Sequence, residues 1–178
     1  MEPITTPRLT LIPLSLEQLK IGLVSLPKLS GSVGVKLVSS LFEGVVDHAV
    51  RMKIEKMEKV DQALHPWYTY WLIVITGEQT GAGMVGFKGA PDEKGWVEIG
   101  YGIDPLYQRL GYMSEAVHAL IGWAFAHKEC LAITATAVLV NNYASQKVLL
   151  RNGFIETGQD EKGINYRLEG TDWQHLTY

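Results

Sequence analysis

Residues 98–125 place a strand, a turn and an amphipathic helix in direct succession, and this constrains the fold more than any other feature of the chain. Asp104-Pro105 ends the strand, and apolar residues recur at helical spacing after Gly111. The first N–H groups of a helix lack intrahelical partners and stand at the positive end of its dipole, so a helix start binds anions. Because Gly111 also lets an anion approach the backbone closely, the segment predicts a site for a pyrophosphate.

The composition favours one globular domain over residues 1–178, because the chain is 47% hydrophobic and long enough to bury a sizeable core. Its net charge of −3 is unlike the basic clustering of nucleic-acid-binding proteins. The single cysteine, Cys130, excludes an internal disulfide, is predicted to be a buried, inert thiol, and fits a cytoplasmic location. The longest apolar run, residues 131–140, is too short to cross a membrane, and the N-terminal residues lack a signal-peptide pattern. We therefore expect neither nucleic acid nor a membrane as a partner.

Hydrophobic periodicity predicts an α/β protein with a mixed sheet. A capping box at residues 15–18 starts a helix, and residues 27–34 form a break. Residues 39–64 form a second helix, whose charged part, residues 51–59, is predicted to be a solvated face. The predicted strands are 8–14, 67–76, 84–88, 96–103, 133–140, 154–157 and 164–168, and the later helices are one after residue 111 and one over 142–152.

Four local patterns in this order resemble the GNAT superfamily of acetyl-CoA-dependent N-acetyltransferases, and in particular its branch of ribosomal-protein N-terminal acetyltransferases. The chain departs from the branch at Ile12, where an arginine is usual, and at Met113, where a small residue is commonest. The resemblance implies a single-domain GNAT-like fold, with a mixed, largely antiparallel sheet of six to seven strands flanked by helices and splayed at the acetyl-CoA site. The patterns are Thr6–Leu11; Met84–Phe87; Glu98–Tyr101 with Gln108–Met113 and Ser114–Ala116; and Asn142–Ser145 with Arg151–Phe154.

The resemblance also implies which residues bind the cosubstrate, acetyl-CoA. The turn before the helix would wrap the pyrophosphate, whereas the alternative is an ordinary turn that needs glycine for its backbone angles. The end of the preceding strand would hold the pantetheine arm through main-chain hydrogen bonds. Asn142 would contact pantetheine and Ser145 would lie near the sulfur, although both residue types also favour helix capping. The remaining implied residues are Tyr101, Gly102, Ile103, Gln108, Arg109, Leu110, Gly111, Tyr112 and Met113.

Two residues are candidates for proton transfer. Glu98 is a candidate general base, because an amine must lose its proton before it attacks a thioester, and the alternative is a solvated glutamate of the strand. The resemblance implies that Ser145 helps to protonate the leaving thiolate. Other branches carry a tyrosine near position 149, where this chain has Leu149, so the general acid stays open.

The acetyl acceptor is expected to be an amine, either a protein N-terminus or a small molecule such as a polyamine, an amino acid or an aminoglycoside. We expect residues 27–64 and the loops to recognise the acceptor, because the four patterns do not include them. The aromatic patch at residues 67–71 could line an acceptor cleft or belong to the core. The five histidines do not cluster at ligand spacing, so no metal is expected, and a homodimer is possible. A non-catalytic acyl-CoA-binding or sensing module is the alternative function.

Overall fold

The computed structural model describes residues 2–173, which form one open sheet with helices on both faces. The strands are β1 Ile4–Thr5, β2 Leu9–Pro13, β3 Lys36–Leu37, β4 Trp71–Ile75, β5 Thr80–Phe87, β6 Trp96–Ile103, β7 Ala132–Val138, β8 Ile155–Asp160 and β9 Gly163–Glu169. The helices are α1 Leu16–Val24, α2 Leu26–Val33, α3 Val45–Met57, α4 His65–Tyr68, α5 Tyr112–Phe125, α6 Tyr143–Arg151 and α7 Gly170–Trp173. Short 3₁₀ turns occupy Ser39–Phe42, Gln62–Leu64 and Pro105–Tyr107.

The strand order of this sheet is β1-β2-β4-β5-β6-β7-β9-β8, with β3 added beside the start of β5. Within the described residues only β6–β7 and β3–β5 pair in parallel, so the sheet is mixed and largely antiparallel, and the predicted fold class is confirmed. The two-residue strands β1 and β3 are additions to the seven strands that hydrophobic periodicity predicts.

Both faces of the central sheet are covered. Along β4, Trp71, Ile73 and Ile75 pack with α5, whereas Leu72 and Val74 pack with α1, α2 and α3. This alternation follows from the two-residue period of a strand, and it makes β4 a continuous apolar run. Helix α5 buries its apolar stripe against the first face, and truncating a buried leucine of that kind costs about 2–5 kcal/mol.

The predicted break at residues 27–34 is wrong, because residues 26–33 form helix α2. The Ser25 side chain accepts a hydrogen bond from the N–H of Lys28 and caps the helix, and Pro27 occupies its first turn. Gly34, with φ of 75°, ends it in the left-handed conformation. Proline and glycine therefore mark the two ends of a helix here instead of interrupting the chain.

Two further predicted boundaries differ from the structure. The helix predicted over 39–64 is divided, because Gly44 at φ of 60° separates a 3₁₀ turn from α3. The strand predicted over 67–76 begins only at Trp71, since residues 65–68 form the short helix α4 with Pro66 in its first turn.

The prediction of a fully solvated charged face on α3 is also wrong at one residue. Lys53 is only 7% exposed, although its neighbours Arg51, Met52 and Glu55 face solvent. Cys130, in contrast, is buried as predicted, and burial raises the pKa of its thiol to about 12. No helix between residues 2 and 173 combines the length and the apolar character that crossing a bilayer requires.

Candidate active site

Strands β6 and β7 separate in the middle of the sheet. Their parallel pairing begins with Trp96 and Ala132 and ends with Glu98 and Thr134. Strand β6 continues to Ile103 and remains paired with β5 on its other side. The second half of β6 therefore offers a free edge between the diverging strands, as expected for a splayed sheet, and such an edge can bind an extended ligand through main-chain hydrogen bonds.

The start of helix α5 lies at the outer end of β6 and has no side-chain cap. Its N-cap is Gly111, with φ of 83°, whereas α1 and α6 are capped by the side chains of Ser15 and Asn142. Arg109 also has a positive φ, of 63°. Two residues with left-handed backbone angles, Arg109 and Gly111, before a helix start without a side-chain cap are typical of an anion-binding nest.

The predicted loop residues divide between backbone and side-chain roles. The Met113 side chain is buried in the core, so this larger residue occupies core space and offers the site only its backbone. Gln108 donates from Nε2 to the carbonyl of Ile103 at 3.4 Å, and Leu110 is exposed. Gln108, Arg109 and Leu110 are exposed, and Gly111 is half-buried.

Arg8 fixes this loop to the N-terminal strand, a role that the sequence does not reveal. Its Nη1 donates to the carbonyl of Leu110 at 2.9 Å, and its Nε lies 2.6 Å from a carboxylate oxygen of Glu115. The guanidinium also stacks over the Tyr112 ring, 4.7 Å from the ring centre. The Thr6 hydroxyl donates to the same carboxylate of Glu115 at 2.6 Å, so β2 and the first turn of α5 hold one another in place.

Glu98 lies where β6 and β7 separate, on the face of the sheet that α3 covers. Its carboxylate accepts hydrogen bonds from the Lys88 ammonium, at 2.6 Å, and from the Thr136 hydroxyl. The side chain is 26% exposed, so it is held on two sides and still reaches solvent. Lys88 follows from the register of the β5–β6 hairpin, but Thr136 depends on how β7 returns beside β6 after α5, which no local pattern specifies.

Tyr101 and Ser145 meet on the opposite face of β6. The Tyr101 hydroxyl lies 2.9 Å from Ser145 Oγ, and it is also within donating distance of the Ser145 carbonyl, at 3.1 Å. Burial raises the pKa of Tyr101 to about 12, so the phenol keeps its proton. The prediction gave Tyr101 a backbone role only, and the contact of its hydroxyl with α6 is a finding of the structure.

Asn142 acts as the N-cap of α6, because its Oδ1 accepts a hydrogen bond from the N–H of Ser145 at 3.1 Å. The capping alternative is therefore confirmed for Asn142, and the residue is also exposed. Leu149, at the position where other branches carry a tyrosine, is fully buried.

On the α3 side of the splay, Gly100 and Gly102 form an open surface without side chains, which we call the glycine floor. Gly100 and Gly102 share a face with Glu98, and a Cβ added at either glycine would meet nothing within 4 Å. Beside them lies a cavity of about 320 Å³ between α3, the start of β5 and the end of β6. Its lining is Ser40, Leu41, Val45, Val46, Ala49, Tyr70, Ala82, Gly83, Met84, Tyr101, Gly102, Ile103, Asp104 and Pro105.

The aromatic patch divides between core and cavity. Trp67 and Trp71 are buried and pack against Trp123, with ring centres 4.6 and 5.4 Å from its ring centre. Tyr70 lines the cavity. The core alternative is therefore confirmed for Trp67 and Trp71, and an acceptor cleft lined by the patch stays a prediction. Between residues 2 and 173, no group of three His, Cys, Asp or Glu side chains is arranged to hold a metal ion.

The chain is similar in sequence and in fold to known proteins. The chain is 40% identical over 85 residues to the uncharacterized N-acetyltransferase YjdG of Bacillus subtilis (strain 168), a segment that covers 48% of this chain and 50% of YjdG. The chain thus matches half the length of this curated relative. The fold superposes on ribosomal-protein-S5-alanine acetyltransferase from Vibrio fischeri with a TM-score of 0.67 and 19% identity, covering 97% of this chain and 99% of that chain.

It also superposes on RimL, a ribosomal L7/L12 α-N-protein acetyltransferase solved in complex with coenzyme A, with a TM-score of 0.66 and 18% identity. That match covers 94% of this chain and 98% of RimL. At such identities the two structures establish the fold alone. The sequence itself matches the acetyltransferase (GNAT) domain over residues 8–155, most of the chain, and the protein therefore belongs to the GNAT acetyltransferase family.

Proposed function

We propose that the protein transfers the acetyl group of acetyl-CoA to the nitrogen of a primary amine. The single observation that carries this proposal is the free edge of β6 beyond Glu98, which leads from the splay to the uncapped start of α5 at Gly111. A pantetheine arm along this edge would place the thioester in the splay and the pyrophosphate at the helix start. YjdG is named an N-acetyltransferase and RimL was solved with coenzyme A, and both support the proposal.

The two faces of β6 divide the proton chemistry. Glu98 faces the open glycine floor and takes a proton from the incoming amine, directly or through water. The nitrogen then attacks the thioester carbonyl, the N–C bond forms and the C–S bond breaks. On the other face Ser145 donates a proton to the departing sulfur and is resupplied by the Tyr101 hydroxyl, 2.9 Å away. The second proton that the nitrogen loses as the amide forms passes to solvent, from which Tyr101 recovers its own proton.

Orientation carries most of the rate in this proposal, because a thioester is already an activated acyl donor. Backbone N–H groups along the free edge of β6 would stabilise negative charge on the carbonyl oxygen during attack. The remaining predicted cofactor residues, Gly102, Ile103 and Gln108 to Met113, contribute through their backbone. A cytoplasmic location is proposed from the single cysteine.

Thermal unfolding with and without acetyl-CoA tests the cosubstrate. A ligand at one hundred times its dissociation constant stabilises by about 2.7 kcal/mol, which raises the Tm of a domain of this size by about 5–10 °C. Thiol release during incubation with amines then tests the transfer. A shift with no release for any amine would favour the acyl-CoA-binding module, and no shift at millimolar acetyl-CoA would contradict the enzyme.

A further inference from the structure

A row of alternate residues on β6 connects the candidate base to the cavity beside the glycine floor. Glu98, Gly100 and Gly102 lie on one face of the strand. Asp104 continues the row, because its N–H donates to the carbonyl of Ala82 at 2.9 Å and extends the β5–β6 pairing by one residue. Gly102 and Asp104 both line the cavity. We call the path from Glu98 over the glycine floor to Asp104 the groove.

The carboxylates at the two ends of the groove differ in their partners. Glu98 is paired with the Lys88 ammonium at 2.6 Å. The Asp104 carboxylate accepts from the Ser40 hydroxyl and, at 2.9 Å, from the N–H of Leu106, and both donors are neutral. A carboxylate has about four lone-pair sites, so it can accept further hydrogen bonds. Within the described part of the chain, Asp104 therefore has no cationic partner.

The walls of the cavity at the Asp104 end are mainly aliphatic. Helix α3 contributes Val45, Val46 and Ala49, and β5 contributes Met84. Val45 is 87% exposed, so the cavity is open to solvent on this side. Among the described residues that line it, none is lysine, arginine or histidine. A methylene chain can lie along such walls while an ammonium at its end stays hydrated beside the carboxylate.

The length of the groove excludes short acceptors from contact with both carboxylates. Six residue steps separate Glu98 from Asp104, and a strand rises about 3.3 Å per residue, so the separation along β6 is about 20 Å. Single bonds of about 1.5 Å advance an extended chain by about 1.3 Å each, so the thirteen bonds between the terminal nitrogens of spermine span about 17 Å. Hydrogen bonds of about 3 Å at the two ends complete the distance.

The unequal pairing of the carboxylates also determines which end of such a molecule reacts. An ammonium gains a charge-assisted hydrogen bond at Asp104. Beside Glu98, the Lys88 ammonium is a like charge that disfavours a protonated amine. The nitrogen at this end is therefore favoured in its neutral form, which is the form that attacks a thioester.

We propose that the acetyl acceptor is a long, flexible polyamine whose remote ammonium binds Asp104 while its reacting amine lies beside Glu98 and its methylene chain lies over the glycine floor. The inference rests on the proposed acetyl transfer and specifies its substrate class. A peptide N-terminus is the competing class, and an amino acid carboxylate is disfavoured because it would bring a like charge to Asp104.

A panel of amines tests the proposal on the full chain with acetyl-CoA. Spermine is expected to exceed 1,4-diaminobutane, which is too short to reach both carboxylates, and the peptide Ala-Ser-Ala-amide at least about ten-fold in kcat/KM, the scale of a hydrogen bond to a charged group. Equal values for spermine and 1,4-diaminobutane, or a peptide that exceeds spermine, would overturn the substrate class and leave acetyl transfer standing. No turnover of any amine would overturn both.

Removing the charge of Asp104 provides a second test. Asp104→Asn keeps an oxygen for the N–H of Leu106, and it is expected to lower kcat/KM for spermine about ten-fold, mainly through KM, and to leave 1,4-diaminobutane within about two-fold of wild type. Asp92→Asn is the matched control, because Asp92 accepts from the N–H groups of Lys94 and Trp96 in an exposed turn, and it should leave both amines unchanged.

An unchanged Tm shift with acetyl-CoA shows that each variant is folded and binds its cosubstrate. A parallel loss for both amines in Asp104→Asn would assign the carboxylate to the support of its turn and overturn the proposal. No loss for either amine would show that the acceptor does not bind Asp104.

Discussion

The ammonium of Lys53 lies 4.3 Å from the centre of the Tyr70 ring, directly behind the cavity wall. It also donates hydrogen bonds to three backbone carbonyls, those of Tyr68 at 3.0 Å, Thr69 at 3.2 Å and Phe87 at 2.5 Å. One buried lysine thus connects α3 to the segment before β4 and to the end of β5. The α3 side of the splay is held in place by this connection.

At pH 9 the neutral amine of folded Lys53 donates two hydrogen bonds to buried carbonyls. Lys53→Met should therefore destabilise the protein by about 3 kcal/mol at this pH, because two buried carbonyls lose a donor and each such loss costs about 1–3 kcal/mol. Burial, together with the charges of Lys56 and Lys88, lowers the pKa of Lys53 to about 7. Between pH 7 and the usual lysine range near pH 10.5, the unfolded chain binds a proton that the folded protein lacks. The stability of the wild type should therefore rise with pH in this window, by up to about 1.4 kcal/mol per pH unit from this group.

Urea unfolding at pH 7, 8 and 9 measures this contribution. Lys53→Met should lack it, so the stability difference between wild type and variant should increase with pH. Lys56→Met removes an exposed lysine of the same helix that donates to the carbonyl of Lys88. It should retain most of the pH dependence, because burial lowers the pKa of Lys53 more than the charge of Lys56 does. Parallel pH profiles for wild type and Lys53→Met would mean that Lys53 stays charged in the folded protein over this window.

Glu98→Gln should lower kcat about 100-fold with little change in acetyl-CoA binding, because an amide keeps the shape of the carboxylate but cannot take a proton from the amine. Steady-state thiol release measures kcat, and the Tm shift measures cosubstrate binding. Glu93→Gln, at an exposed turn of the same hairpin, is the matched control and should behave as wild type. A normal rate in Glu98→Gln would assign the glutamate to the support of the strand, beside Lys88 and Thr136.

Gly111→Asp should abolish the Tm shift with acetyl-CoA, because it places a carboxylate where the pyrophosphate is expected. The substitution is also strained, since φ is 83° there, so the loss needs a control with similar backbone strain. Gly34→Asp supplies it, because Gly34 has φ of 75° at the end of α2. A Cβ at Gly111 would also lie 3.2 Å from Nη2 of Arg8, whereas one at Gly34 meets nothing within 4 Å, so the stability of each variant without ligand is measured separately. Only Gly34→Asp should still respond to acetyl-CoA.

Local patterns predicted the elements whose signals lie within one segment. The capping box at Ser15 and the strand at residues 96–103 appear as expected, and the turn and helix after Gly111 follow from proline, glycine and helical periodicity. The prediction of a break at residues 27–34 was wrong because proline and glycine at the two ends of a helix resemble a loop when the cap at Ser25 is overlooked.

The contacts that complete the site lie between segments distant in sequence. Arg8 reaches Leu110 and Glu115 because β2 lies beside α5, and periodicity cannot reveal which residues such an arrangement brings together. The burial of Lys53 is hidden in the same way, since its neighbours on α3 are charged and exposed. Sequence therefore predicts the elements that form the candidate site better than the long-range contacts that complete it.

Tyr101→Phe tests whether the phenol takes part in the reaction. The change removes only the hydroxyl that lies 2.9 Å from Ser145 Oγ, so the strand and its main-chain hydrogen bonds remain. If Ser145 is resupplied with a proton from this hydroxyl, kcat should fall about ten-fold or more, while the Tm shift with acetyl-CoA stays near that of wild type. Ser145→Ala should lower kcat at least as much, and the double variant should add little further loss, because the two hydroxyls act in one relay. Tyr68→Phe removes a hydroxyl from another tyrosine packed against the same core and should leave kcat unchanged, so a fall in both tyrosine variants would indicate loss of packing instead of proton transfer.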